Sequence, residues 1–171
     1  MVVMKIDITP ILADETKRIP LSFNEQLEDI TFLGSVFRFL SPLSIEGSAI
    51  HNGRGIKIEL SVNGDMQTLC SRCGEKIIVP LSFELDECFL KRESLTEDDD
   101  AYSFEGTQID LHDAVIDAFT LNVEGQYLCK VDCKGLCPNC GANLNKTQCT
   151  CNNEIIDPRW EKLRDMIKNN D

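Results

Sequence analysis

No stretch of this sequence approaches the roughly 18 consecutive apolar residues that a membrane-spanning helix requires. Its opening, MVVMKIDITPILADETKR, lacks a long apolar core and a small-residue cleavage site, so a secretory signal is not expected and a cytoplasmic protein is. The G-x-S-x-G elbow, the Walker loop, the H-E-x-x-H zinc motif and the dinucleotide fingerprint are all missing. Histidine is scarce. His51 and His112 stand alone, with no second candidate ligand near either in sequence, and read as surface or capping residues. There is no low-complexity tract and no repeat beyond a set of cysteine pairs. These absences leave little for an enzyme to work with.

What is present is an ordinary globular composition, 42% apolar and 27% charged over 171 residues, enough for one domain with a small appendage. The net charge of -12 is unevenly placed: residues 1–83 sum to -2, residues 84–124 to -11 and residues 125–171 to +1. The acid includes Glu97, Asp98, Asp99 and Asp100. Such a run reads either as a solvated loop or as a surface for a basic partner, and it repels phosphate.

Hydrophobic periodicity predicts an α+β fold. Ile56, Ile58, Leu60 and Val62 alternate with polar residues, as a strand with one buried face does. Asn63-Gly64 then reads as a hairpin turn, with Met66–Cys70 as the return strand. Lys76–Leu90 alternates again, Ile45–Ile50 is a partner strand, and Met1–Thr9 is a short edge strand ending at Pro10. An antiparallel sheet results, curled into a partial barrel and covered by one or two helices. Residues 91–102 form an acidic linker, and Asp110 opens a helix with Leu111, Ala114, Val115, Ala118 and Phe119 on its buried face. A last helix starts at Asp157-Pro158 and carries Trp160, Leu163 and Ile167. The expected division is a sheet-and-helix core over residues 1–124 and a cysteine-rich tail over residues 125–171.

Nine cysteines, an odd count without a secretory signal, favour metal over disulfides. Cys70-Ser-Arg-Cys73-Gly74 and Cys137-Pro-Asn-Cys140-Gly141 share one form, a turn that aims two sulfurs at one ion. Cys129 with Cys133 and Cys149 with Cys151 add two more local pairs, so eight thiols give the arithmetic of two tetrahedral zinc sites. The preferred partition sets Cys137, Cys140, Cys149 and Cys151 on one zinc and Cys70, Cys73, Cys129 and Cys133 on another. An alternative joins Cys70/Cys73 with Cys137/Cys140. Cys88 is left over as a small hydrophobe. All-sulfur sets leave no open coordination position, so the zinc reads as structural. A thiol–disulfide redox protein is the competing reading, although its C-x-x-C pairs should open a helix.

The run Cys129-Lys-Val-Asp-Cys133-Lys-Gly-Leu-Cys137-Pro-Asn-Cys140-Gly-Ala-Asn-Leu-Asn145, then Cys149-Thr-Cys151 and Ile156-Asp-Pro-Arg159, resembles the C-terminal signature of the YceD-like family. Upstream, Cys70-Ser-Arg-Cys73 and Ile109-Asp-Leu111 fall in the same order as in that family. The resemblance covers roughly residues 45–160 and implies a bacterial or plastid factor for synthesis, processing or stability of large-subunit ribosomal RNA, with no catalytic residues to carry over. The expected partner is a ribosomal precursor particle or ribosomal protein, with neither a membrane nor a small-molecule substrate. Direct RNA contact would fall to Arg72, Lys76, Lys130, Lys134 and Lys146 near the metal turns.

Overall fold

The computed structural model describes residues 4–151. The helix expected from Asp157 lies outside the described residues. Strand β1 (Lys5–Asp7) is followed at once by helix α1 (Thr9–Ala13), then β2 (Arg18–Glu25), β3 (Ile30–Phe32), β4 (Ser35–Phe39), β5 (Leu43–His51), β6 (Ile56–Leu69) and β7 (Lys76–Lys91). A 3-10 turn (Arg92–Ser94), β8 (Tyr102–Phe104), β9 (Gln108–Asp110) and helix α2 (His112–Asn122) complete the body. The expected edge strand to Thr9 is thus shorter. Pro10 falls in the first turn of α1, where its missing N–H costs nothing.

The main sheet is open, and the expected partial barrel is not formed. Antiparallel pairing runs β2-β5-β6-β7, β8 adds to β7 in parallel, and β3-β4 joins β6 through Arg38 and Phe39. β1 and β9 form a separate small ladder. β6 and β7 dominate the architecture, paired continuously from Ile56↔Phe89 to Leu69↔Lys76. The Asn63-Gly64 turn expected from sequence does not occur: both residues lie inside β6, opposite Ser82 and Leu81. A Cβ on Gly64 would collide with the Leu43 side chain, so this glycine admits a neighbour and does not reverse the chain. The true reversal is the segment between Leu69 and Lys76, the first C-x-x-C turn.

One face of the ladder is apolar because alternate positions carry Ile56, Ile58, Leu60, Val62 and Met66 on β6 and Leu81, Phe83, Leu85 and Phe89 on β7. Helix α2 lies over this face and buries Ala114, Val115, Ala118 and Phe119. Asp110 lies one residue ahead of the N-cap Leu111, and its carboxylate accepts the His112 amide at 3.1 Å. The Phe119 ring makes edge contacts with Phe37, Phe39 and Phe83 at centroid distances of 5.5, 5.4 and 6.4 Å, pinning the helix to β4 and β7. Beyond α2 the chain passes Tyr127, whose ring meets Phe37, and arrives at the Cys70 turn.

Candidate metal centres

The two C-x-x-C-G turns are built alike. In the first, the Cys70 amide donates to the Glu75 carbonyl at 2.7 Å and the Gly74 amide to the Cys70 carbonyl at 2.9 Å. In the second, Cys137 donates to Ala142 at 2.8 Å and Gly141 to Cys137 at 2.9 Å. Gly74 and Gly141 hold φ of 69° and 72°, the left-handed conformation that closes each turn and that L side chains rarely adopt. This winding aims backbone amides at the first sulfur: Arg72 and Cys73 toward Cys70, Asn139 and Cys140 toward Cys137.

The second half of each group arrives differently. Residues 127–129 dock on the first turn, with the Ser71 amide donating to the Tyr127 carbonyl at 2.8 Å and the Tyr127 amide to the Ser71 hydroxyl at 3.2 Å. Arg72 donates to the Cys133 carbonyl at 3.1 Å. Cys129 and Cys133 therefore come to rest beside Cys73 and Cys70, with sulfur separations of 3.6 and 3.8 Å. Cys137, Cys140, Cys149 and Cys151 gather by local chain reversal alone.

The result is two thiol quartets, Cys70/Cys73/Cys129/Cys133 and Cys137/Cys140/Cys149/Cys151, with all sulfurs of a quartet within 4.8 Å of one another. A tetrahedron of Zn–S bonds near 2.3 Å has edges of about 3.8 Å, so both groups match the size of a metal cage. Either quartet could hold a metal ion. The arrangement that would join Cys70/Cys73 with Cys137/Cys140 is not the one formed.

Their electrostatics favour a cation. Burial pushes the Cys70 thiol up, but the Cys129, Cys73 and Arg72 amides outweigh it and hold the group down at about 6. The Cys140 and Asn139 amides hold Cys137 at about 7. Their neighbours go the other way. Burial and the Cys133, Cys73 and Cys70 sulfurs push Cys129 up to about 12, and the Cys140 sulfur together with burial pushes Cys151 up to about 12. Four sulfurs this close cannot all ionise unless a positive ion sits among them.

The quartets differ in exposure. Cys70, Cys73 and Cys133 are buried, whereas in the second quartet only Cys137 is, and Cys140 is exposed. Cys88 belongs to neither and receives a contact from the Asn52 amide nitrogen at 3.4 Å. His51 and His112 are also outside both. Neither C-x-x-C pair opens a helix: the first lies between two antiparallel strands and the second in a turn. Neither pair has the strand-to-helix placement of thioredoxin-like dithiols.

Of the basic residues near the turns, Arg72 is engaged with Cys133, Lys146 pairs with Glu75, and Lys130 lies 3.9 Å from Asp132. Lys76 and Lys134 are exposed. The acidic connection is partly organised. Asp99 accepts the Thr96 amide and hydroxyl at 2.9 and 2.8 Å and pairs with Arg54 at 2.8 Å, bonds that hold its carboxyl below the usual range, the Thr96 amide foremost. Asp98 and Asp100 stay exposed. One participant is not singled out as a site residue by sequence reasoning: Asn145, the last residue of the family-like run, which donates to the Cys133 sulfur at 3.3 Å. No spacing or periodicity marks it.

Residues 58–167 match the model of the family described as large ribosomal RNA subunit accumulation protein YceD. The chain belongs to the YceD family. The matched span takes in most of the β6–β7 ladder, α2 and both thiol quartets. A chloroplastic protein of Arabidopsis thaliana, named large ribosomal RNA subunit accumulation protein YCED homolog 1, is 23% identical over 156 residues, 74% of this chain and 49% of its own length. An uncharacterized protein of Mycobacterium tuberculosis (strain ATCC 25618 / H37Rv) is 35% identical over 102 residues, 57% of this chain and 49% of its own. An uncharacterized protein, YlbN, of Bacillus subtilis (strain 168) is 26% identical over 148 residues, 85% of this chain and 86% of its own. The match thus spans about half the length of the mycobacterial and plant relatives. No solved structure matches the chain significantly. Among the described residues no helix is long and apolar enough to cross a membrane.

Proposed function

We propose that this YceD-family chain is a non-enzymatic cytoplasmic factor of ribosome biogenesis, supporting the synthesis, processing or stability of large-subunit ribosomal RNA. The observation that carries the reading is the family match over residues 58–167. The two quartets act as zinc sites in this reading: Cys70, Cys73, Cys129 and Cys133 hold one ion, and Cys137, Cys140, Cys149 and Cys151 the other. Four thiolates complete a tetrahedron and leave no position for substrate or water, so zinc would supply structure and not chemistry. It would fasten the tail from residue 125 onto the body as a separate module.

The partner is a precursor of the large ribosomal subunit, met through one of its proteins or directly through RNA. The acid concentrated in residues 84–124 suits a basic protein and disfavours a broad RNA footprint. Among the described basic residues near the turns, Lys76 and Lys134 are exposed and offer a local phosphate contact.

The test is to deplete the protein in its own cells and follow large-subunit RNA, while sedimenting a tagged copy on gradients. Loss of mature large-subunit RNA, with the tagged chain migrating among precursor particles, is the expected result. Unchanged RNA and a chain that stays with free protein would refute it. The salt dependence of particle binding separates the two contacts, because RNA held by lysines is released steeply as salt rises.

A further inference from the structure

The loop closed by one quartet is also built into the other. Between Cys140 and Cys149 the chain makes a tight excursion around Asn143 and Asn145. The Asn145 amide donates to the Asn143 side-chain oxygen at 2.9 Å, and the Lys146 and Thr147 amides donate to the Asn143 carbonyl, each at 3.0 Å. From this loop Asn145 reaches into the first quartet. Its Nδ2 donates to the Cys133 sulfur at 3.3 Å and its Oδ1 accepts the Lys134 amide at 3.0 Å. The Leu144 amide donates to the Gly135 carbonyl at 3.0 Å, and Leu136 and Asn143 form an isolated β-bridge. On the far side Lys146 pairs with Glu75, whose carbonyl accepts the Cys70 amide at 2.7 Å. One short segment thus touches both halves of the first quartet: Cys133 through Asn145, and the Cys70 turn through Lys146.

We propose that the two quartets load metal cooperatively, with Asn145 as the positioning residue that couples them. The proposal rests on reading both quartets as metal sites. Its physical basis is the order of the 141–148 loop. Without an ion at Cys137, Cys140, Cys149 and Cys151 the two ends of this loop are drawn together by hydrogen bonds alone, such as that from the Cys137 amide to the Ala142 carbonyl, and holding Asn145 against Cys133 costs chain entropy. An ion there fixes the ends and leaves the Asn145 amide aimed at Cys133. A hydrogen bond to a metal-bound thiolate orients the ligand and stabilises its charge, and such outer contacts are typically worth 10–100-fold in affinity. Linkage makes the effect reciprocal, so an ion on the buried quartet equally favours the exposed one.

Cobalt(II) titration of the reduced, metal-free full-length chain tests this, since thiolate–cobalt charge-transfer bands report each site without any functional assay. Cys149→Ser with Cys151→Ser removes the exposed site, and chelator competition then reads the affinity of the buried one. We expect that affinity to fall about tenfold or more, and Asn145→Ala alone to lower it by a similar factor. Combining the two should add little, because both delete the same contact. Thr147→Ala is the control. Its hydroxyl bonds the Asn143 carbonyl at 3.1 Å and, among the described residues, touches neither quartet, so a general loosening of the loop would appear in it as well. The reverse experiment, Cys129→Ser with Cys133→Ser read at the exposed site, should return the same factor and does not depend on the Asn145 variant folding. Two cobalt ions bound with independent affinities, or an Asn145→Ala protein within twofold of the parent, would overturn the coupling and leave the metal sites standing. A parent chain that develops no thiolate–cobalt bands would overturn both.

Discussion

The body and the tail of this chain are held together by different physics. In the body, alternate residues of β5, β6 and β7 with α2 and the first strands bury a continuous apolar cluster that includes Phe37, Phe39, Phe83, Phe89 and Phe119. In the tail the described residues offer almost nothing of that kind. The buried cluster where they meet the body is Cys70, Cys73 and Cys133, with Ile77, Leu128 and Cys129 packed against it, while Val131 and Leu136 face solvent. Burial at roughly 25 cal/mol per Å² can hold a sheet and a helix, but a segment with so few apolar side chains does not reach the cost of ordering its backbone. Small modules solve this with a staple, and the thiol quartets stand where one is needed.

Withdrawing metal should separate the two regions most sharply. A chelator under reducing conditions should melt residues 127–151 and leave the β5–β6–β7 ladder intact, since metal binding in zinc-finger peptides supplies about 10–16 kcal/mol of folding free energy. Hydrogen exchange read along the chain would show it as lost protection confined to the tail. Uniform loss across both regions would mean that they fold as one unit.

The converse comes next. Phe119→Ala removes the ring shared by Phe37, Phe39 and Phe83 and should destabilise the body by about 3–5 kcal/mol in urea titrations. Metal content per chain should not change, because Ala114, Val115 and Ala118 still seat α2 on the sheet. A loss of bound metal in that variant would show that helix position controls the quartets.

Cysteine replacements sharpen the contrast at smaller scale. Cys88→Ser, outside both quartets, should alter stability by less than about 1 kcal/mol and leave metal stoichiometry unchanged, whereas Cys133→Ser should abolish one equivalent. Smallest of all is Leu121→Gln. Leu121 is 84% exposed on α2, and its replacement should move the thermal midpoint by no more than about 0.5 kcal/mol implies.

Much of the body was legible because its signals are local. Period-two alternation from Ile56 to Val62 and from Val79 to Leu85 marked β6 and β7, and the spacing of Leu111, Ala114, Val115, Ala118 and Phe119 marked the buried side of α2. The failures share a cause. Asn63-Gly64 carries a turn signature, yet the glycine is there so that Leu43 can pack on it, a contact that β5 brings from far upstream in the chain. Within the correctly expected β7, Pro80 is tolerated because among the described residues β8 covers that edge only at Phe89–Lys91. The open sheet was read as barrel-like because alternation reports which face is buried and not how the edges end.

By itself the sequence determined the kinds of element, the acidity of residues 84–124 and the four local cysteine pairs, all properties of neighbours in the chain. It also determined the family, through motifs that recur in order. Only the tertiary structure brought those pairs together. The Cys137 and Cys149 pairs find each other across a short loop with little entropy to overcome, which favours this partition from sequence, and the return of the chain from α2 to the Cys70 turn completes it. That return sets Cys129 and Cys133 against Cys73 and Cys70 and brings Asn145 onto Cys133. It depends on the apolar face of α2 packing on β4 and β7, an interaction between segments far apart in the chain that no local pattern records.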